Sequence, residues 1–222
     1  MEQIDEKYFQ YGEREIAYLK SRDKRLAEVI DKVGFLKRPV IPDIFTALVH
    51  SIVGQQISTK AHQTVWRRVQ SALGSITPES FCNIPDETLR KAGLSLRKVG
   101  FIKNAAQKIM SGEVDISSLA GLDDDNACSR LCSLDGIGRW SAEMLLLFSM
   151  QRPDVLSYGD LGIQRGLRMI YRHRRIDRKL FEKYRRRFSP FCSVASLYIW
   201  AVAGGAAEGY KDYAPKKPAG RK

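Results

Sequence analysis

Two features of this sequence could do chemistry together: a pair of glycines that bares the backbone, and a carboxylate some twenty residues beyond it. Residues 134–160, LDGIGRWSAEMLLLFSMQRPDVLSYGD, open on Gly136-Ile137-Gly138 and close on Asp160. A glycine turn entering a helix leaves N–H groups unpaired at the positive end of the helix dipole, which makes a seat for an anion such as a phosphate. A plain helix–turn–helix corner uses the same pattern. Asp160 precedes a run of helical pattern, so it can act as an N-cap. An ionised carboxylate there can also stabilise a developing cation and orient an attacking water. The two roles are compatible.

The run Leu134-Asp135-Gly136-Ile137-Gly138-Arg139-Trp140-Ser141-Ala142 resembles the helix–hairpin–helix of the HhH-GPD DNA glycosylase superfamily, which includes endonuclease III. Trp140, and Gly159-Asp160-Leu161-Gly162-Ile163 beyond it, resemble the AlkA-type 3-methyladenine DNA glycosylase II branch. The two motifs stand in the family's order, with Asp160 twenty positions after Trp140, and the resemblance spans residues 40–205. It implies that Asp160 is catalytic. It also implies that Gly136, Ile137, Gly138 and Arg139 bind a DNA phosphate, and that Trp140 and Trp200 flank an extruded base. Met144 falls where AlkA has a tyrosine. The turn Gly54-Gln55-Gln56-Ile57-Ser58 resembles the family's Gly-Gln-Leu turn, which enters the minor groove. By that likeness Gln55, Gln56 and Ser58 meet DNA, and Gln56, a leucine in some members, fills the gap left by the base. Residues 93–98, ending in Lys98, resemble a second backbone-contact loop; an ordinary helix corner has the same pattern. Backbone carbonyls of Cys132, Leu134 and Ile137 would hold a structural sodium or potassium ion that positions DNA, with no catalytic metal.

Relatives that also cut the strand carry a lysine directly after the Gly-x-Gly-Arg turn. Here that position is Trp140, and no lysine lies between Leu131 and Asp160. Without an amine no imine forms. The implied activity is a monofunctional glycosylase of base excision repair, flipping alkylated purines of the 3-methyladenine type out of duplex DNA. Two alternatives stay open: the same fold acting on an oxidised, deaminated or mismatched base, and a noncatalytic DNA-binding protein that uses the hairpin alone.

Composition agrees with a nucleic-acid partner. The 222 residues carry a formal charge of +12. Eleven Lys or Arg residues crowd into 165–187 against Asp177 and Glu182, a field that attracts polyanions by releasing their counterions. A solvated basic helix face is the plainer explanation of the same run. Cysteines at 82, 128, 132 and 192 form no CxxC pair, and only Cys192 lies near the end where endonuclease III holds its cluster, so no iron–sulfur cluster is expected. His50, His62 and His173 are scattered, and Trp66 reads as core. The polar, acidic start reads as having no signal peptide, and the most apolar stretch, 194–207, is too short to span a bilayer. A cytoplasmic, nucleoid-associated monomer is expected.

To position these groups the sequence offers helices. Apolar residues return near a 3.6-residue period through 13–33, broken at Asp23, and again from Asp43. Further helices are expected at 58–73, 85–92, 98–110, 123–132, 161–171, 178–188 and 191–203, about ten in all. With no alternating stretch, the fold class is all-α: two helical lobes with a DNA-binding cleft, and no N-terminal β domain. The expected divisions are 1–42, N-terminal helices packing with the C-terminal lobe; 43–132, a middle lobe; 133–160, the hairpin and aspartate loop; 161–210, the C-terminal lobe; and 211–222, a basic flexible tail.

Overall fold

The computed structural model describes residues 7–215. The described residues form twelve α-helices and one 3₁₀ turn, with no strand among them, so the all-α expectation holds. They divide into two compact units. One is Val40–Gln151; the other takes the described residues through Pro39 and from Arg152 onward.

The Val40–Gln151 unit is built on α3 (Ile44–Gly54), which buries Phe45, Ala47, Leu48, Val49, Ile52 and Val53 and is capped by Asp43. Against it lie α4 (Thr59–Leu73), α7 (Leu96–Met110) and α9 (Arg139–Phe148). The helices α5 (Pro78–Asn83) and α6 (Asp86–Lys91) pack on α7, and α8 (Asp124–Cys132) pairs with α9. The Ile41 N–H donates to the Phe148 carbonyl (3.0 Å) and the Ser149 hydroxyl to the Pro42 carbonyl (3.2 Å), closing the ends of the unit on each other.

The other unit contains α1 (Glu13–Arg22), α2 (Lys24–Val33), α10 (Leu161–Tyr171), α11 (Arg178–Phe188) and α12 (Cys192–Ala203). Ten of the twelve α12 residues are buried, because α1, α2, α10 and α11 surround it. The approach of α10 is close. A Cβ at Gly166 would stand 2.3 Å from the Ile199 carbonyl oxygen, so only glycine fits there. Asp23 caps α2 through the Leu26 N–H and accepts from the Arg187 guanidinium, which joins α2 to α11.

Several boundaries differ from those read in the sequence. The hairpin does not stand apart with the aspartate loop: it belongs to the Val40–Gln151 unit, and residues 152–160 belong with the C-terminal helices. Serines on α12 are the reason. Ser193 Oγ accepts from the Val155 N–H (2.9 Å) and donates to the Arg152 carbonyl, while Ser196 Oγ donates to the Val155 carbonyl (3.0 Å). The N-terminal division falls at Pro39 and Val40, since Ile41 is tied to Phe148. Helix α5 was not expected; at six residues it is too short to show a period, and only Thr77-Pro78 signals it. Helix α7 starts at Leu96 rather than Lys98, with Ser95 as its cap. The expected flexible tail is anchored at its start: Asp212 takes both Nε and Nη2 of Arg168, at 2.7 and 2.6 Å. The remainder of that tail, 216–222, lies outside the described residues, as do residues 1–6 of the acidic start.

Candidate nucleic-acid interface and active site

The hairpin is set by two glycines with different tasks. Gly136 adopts φ +79°, and a Cβ there would sit 2.4 Å from the Phe101 ring. It must therefore be glycine for conformation and for packing. Gly138 begins α9 with φ −89°, and a Cβ there would meet nothing within 4 Å. No side chain caps α9, whereas Asp, Ser or Thr oxygens cap most of the other helices. The face beside Gly138 is thus an open run of first-turn amides at a dipole's positive end. Ile137 is buried, and its N–H donates to the Leu134 carbonyl (3.1 Å), so its side chain anchors the turn from within. Arg139 is exposed. Its Nε donates to Glu143 (2.9 Å) and its Nη2 lies 3.5 Å from Asp125, and the bond to Glu143 pushes its pKa further up.

Trp140 and Met144 lie one turn apart on α9, Trp140 46% exposed and Met144 half-buried. Near them in sequence, Cys132 is exposed and Cys128 buried, both as free thiols, and burial raises the Cys128 thiol to about 11.

The second turn of this unit, residues 54–58, protrudes through exposed Gln56, Ile57 and Ser58. Gln56 takes the left-handed conformation (φ 57°). Two expected DNA contacts have internal work here. Gln55 Nε2 donates to the Gly136 carbonyl (2.9 Å), tying this turn to the hairpin. Lys98 Nζ donates to the carbonyls of Val53 (2.8 Å) and Gln55 (2.7 Å), and burial lowers its pKa. The Lys98 ammonium, expected at DNA, is thus bound to the end of α3, where carbonyls lack helical partners. Ser58 caps α4 through the Ala61 N–H (3.3 Å). Sequence reading missed what backs the turn. A Cβ at Gly54 would come within 2.8 Å of the His62 ring, which lies tilted against His50 at 4.2 Å between centroids, His50 being edge-on to Trp66 at 5.0 Å. Burial, then His62, lowers the His50 pKa to about 4; burial also lowers that of His62.

In the other unit, Asp160 caps α10. Its Oδ1 accepts from the Ile163 N–H (2.8 Å) and from Trp200 Nε1–H (2.9 Å). Asp160 is 7% exposed, whereas Leu161 beside it is 82% exposed, so the carboxylate sits where buried backbone meets the surface. Gly162 makes the pairing possible: a Cβ there would stand 2.8 Å from Trp200 Cδ1 and 3.1 Å from Asp160 Oδ1. The loop leading in, 152–157, is the one held by Ser193 and Ser196. Such a carboxylate, fixed by donors and largely screened from water, is suited to facing a developing cation.

The basic run 165–187 is partly neutralised. Arg165 and Arg168 share Asp212, Arg178 pairs with Glu182 (3.0 Å) and Arg187 with Asp23. Arg172, Arg174, Arg175, Lys179, Lys183 and Arg186 remain exposed. No group of three or more His, Cys, Asp or Glu side chains with metal-binding geometry occurs among the described residues, and no helix there is long and apolar enough to cross a membrane.

Comparison with known proteins agrees with this geometry. Residues 49–190 match the model of the HhH-GPD superfamily of base excision DNA repair proteins. The DNA-3-methyladenine glycosylase 1 of Schizosaccharomyces pombe is 30% identical over 199 residues, 87% of each chain. Among solved structures, the DNA-3-methyladenine glycosidase of Bacillus halodurans superposes with TM-score 0.82 at 37% identity, covering 93% of this chain and 97% of that one. The Schizosaccharomyces pombe 3-methyladenine DNA glycosylase Mag1, solved with abasic DNA, gives 0.76 at 28% identity, covering 86% and 97%. An all-helical chain with an uncapped glycine hairpin and a tryptophan-held aspartate therefore belongs to the HhH-GPD superfamily of base excision DNA repair proteins.

Proposed function

We propose that this chain is a monofunctional DNA glycosylase that hydrolyses the N-glycosidic bond of alkylated purines, of the 3-methyladenine type, in duplex DNA. The observation that supports it most directly is Asp160 held by Trp200 and the Ile163 amide at the start of α10. As the base departs, positive charge develops on the deoxyribose; the carboxylate stabilises it and orients the water that attacks the anomeric carbon. An alkylated purine is cationic and leaves with little acid assistance. Trp140 and Trp200 supply electron-rich faces for it, each such contact worth ~0.5–2 kcal/mol. The names of the relatives point the same way, and abasic DNA, bound in the Schizosaccharomyces pombe structure, is the product such a reaction leaves.

The uncapped start of α9 at Gly138 takes a phosphate of the damaged strand, and Gln56 at its protruding turn replaces the extruded base. The carbonyls of Cys132, Leu134 and Ile137 suit a sodium or potassium ion, being oxygen donors on a turn already shaped by the Ile137–Leu134 hydrogen bond. No cofactor serves the chemistry. The chain acts as a monomer on nucleoid DNA.

The test is release of free base from methylated duplex by the wild type and by Asp160→Asn. Asparagine retains an oxygen to cap α10, so the variant folds and binds lesion DNA while release is lost. Equal turnover by the two proteins refutes the assignment, and a panel of oxidised, deaminated and mismatched substrates establishes the base class.

A further inference from the structure

We infer that Lys98, Gln55 and Phe101 are positioning residues that hold the 54–58 turn and the hairpin in fixed register, with α7 as the ruler between them. This rests on the reading above that both turns engage DNA. Lys98 and Phe101 lie three residues apart on α7, hence on one face. Lys98 meets the turn: its ammonium bonds the Val53 and Gln55 carbonyls at 2.8 and 2.7 Å. Phe101 meets the hairpin: its ring fills the space where a Gly136 side chain would stand, and the Arg97 guanidinium lies 5.1 Å from the ring centroid. Gln55 completes the frame, its main-chain carbonyl on Lys98 and its side-chain amide on the Gly136 carbonyl at 2.9 Å.

The result is a closed circuit of α7, turn and hairpin. Its consequence falls on Gln56. This residue holds the left-handed conformation, which non-glycine residues avoid, directly after a residue fixed at both its main chain and its side chain. Gln56 and Ile57 are thereby presented outward from a rigid base, at a set distance from the phosphate-binding amides of α9. A gap filler is useful only if it reaches the stack while the hairpin grips the strand. The circuit supplies that constraint without contacting DNA itself. Lys98 is the informative member, because a basic residue on a DNA-binding face is ordinarily a phosphate ligand.

The experiment separates the two roles in the full-length chain. Lys98→Met and Gln55→Leu are compared with the wild type for single-turnover release of methylated base. Affinity for undamaged duplex is measured across a salt series. Fluorescence of 2-aminopurine beside the lesion reports stack insertion, and Gln56→Ala serves as the control for the gap-filling reading. We expect release to slow by about tenfold to a hundredfold in both variants, as displacement of about 1 Å from productive geometry does. The insertion signal should fall while undamaged-duplex affinity and its salt slope stay at wild-type values. The double variant should be no slower than the slower single one, since both break one circuit. Lys98→Arg should recover part of the rate.

If Lys98→Met instead lowers the salt slope by about 0.9 and leaves single-turnover release unchanged, Lys98 is a phosphate ligand and the inference is overturned. Wild-type release by Gln55→Leu overturns it equally, whether or not Lys98→Met folds. Loss of the gap-filling reading looks different: Gln56→Ala would then keep the insertion signal and rate, while the Lys98 and Gln55 variants still report on register.

Discussion

Adding one methyl group at either of two glycines a single turn apart on α10 should separate catalysis from stability. At Gly166 the new Cβ would lie 2.3 Å from the Ile199 carbonyl oxygen and 2.6 Å from its Cγ2. The first of these is main chain of α12, so the helices must part. Overpacking of this kind costs about 1–3 kcal/mol. For a chain of this size Tm falls by roughly 2–4 °C for each kcal/mol. At Gly162 the Cβ would instead lie 2.8 Å from Trp200 Cδ1, with Trp200 Nε1 and Asp160 Oδ1 both at 3.1 Å. These are side-chain atoms, and the half-buried indole can swing aside, which breaks its hydrogen bond to the carboxylate. A hydrogen bond to a charged group contributes about 1.5–3 kcal/mol. Its loss in the transition state slows release by about tenfold to a hundredfold. Alanine also suits a helix better than glycine by about 0.5–1 kcal/mol, which offsets part of that loss, so Tm should fall by only a few degrees while release slows far more. Thermal melts and single-turnover base release, run on both variants, check the pair. A Gly162→Ala enzyme with the wild-type rate would refute the claim that Trp200 holds Asp160 for catalysis, and an unchanged Tm in Gly166→Ala would refute the close packing of α10 on α12.

Acid should weaken the fold through His50, whose pKa burial lowers to about 4, below the ordinary histidine value of 6.5. Stability is full above pH 6.5 and falls as pH drops towards 4, because only the unfolded chain takes up the proton there, at about 1.4 kcal/mol per pH unit. Urea midpoints at pH 7 and 4.5 should differ less in His50→Gln than in the wild type; equal differences would contradict a neutral, half-buried imidazole. Gly136→Ala should lower Tm sharply, having both a positive φ and a Phe101 ring 2.4 Å from the added carbon, whereas Gly138→Ala, with nothing within 4 Å, should leave Tm unchanged and weaken DNA binding. An effect of Gly138→Ala on Tm alone would argue against the phosphate role. Borohydride should trap no covalent DNA adduct, since the position after Arg139 is Trp140 and not lysine; a strong adduct would overturn the monofunctional assignment.

What could be read from the sequence was what a residue does to its own neighbourhood. The Asp23, Ser58 and Asp160 caps all bond an N–H three residues on, so type and position announce them. The hairpin was legible for the same reason, its glycines lying within one turn. Pairings across long separations were not. Gln55 meets Gly136 across 81 residues and Lys98 meets Gln55 across 43. Gly162 and Gly166 show a visible four-residue spacing, but nothing in that spacing names Trp200 and Ile199 as the groups that require it.

Charge is where this distinction matters most for function. A count of basic residues treats each as facing solvent, yet Lys98 bonds two carbonyls, Arg168 and Arg187 bond Asp212 and Asp23, and Arg139 leans on Glu143. Each of these must break a contact before it can displace a counterion from DNA. The pairs are also unequal: Asp23 is nearly fully buried, so Arg187 is held by a carboxylate with little access to water, while Arg139 and Asp125 are both exposed and part readily. Arg139 can therefore exchange Asp125 for a phosphate as DNA arrives while keeping the largely buried Glu143, and Arg187 cannot without stranding Asp23. The number of ions released on binding should accordingly follow the exposed residues of 165–187 together with the hairpin, and fall short of the formal charge.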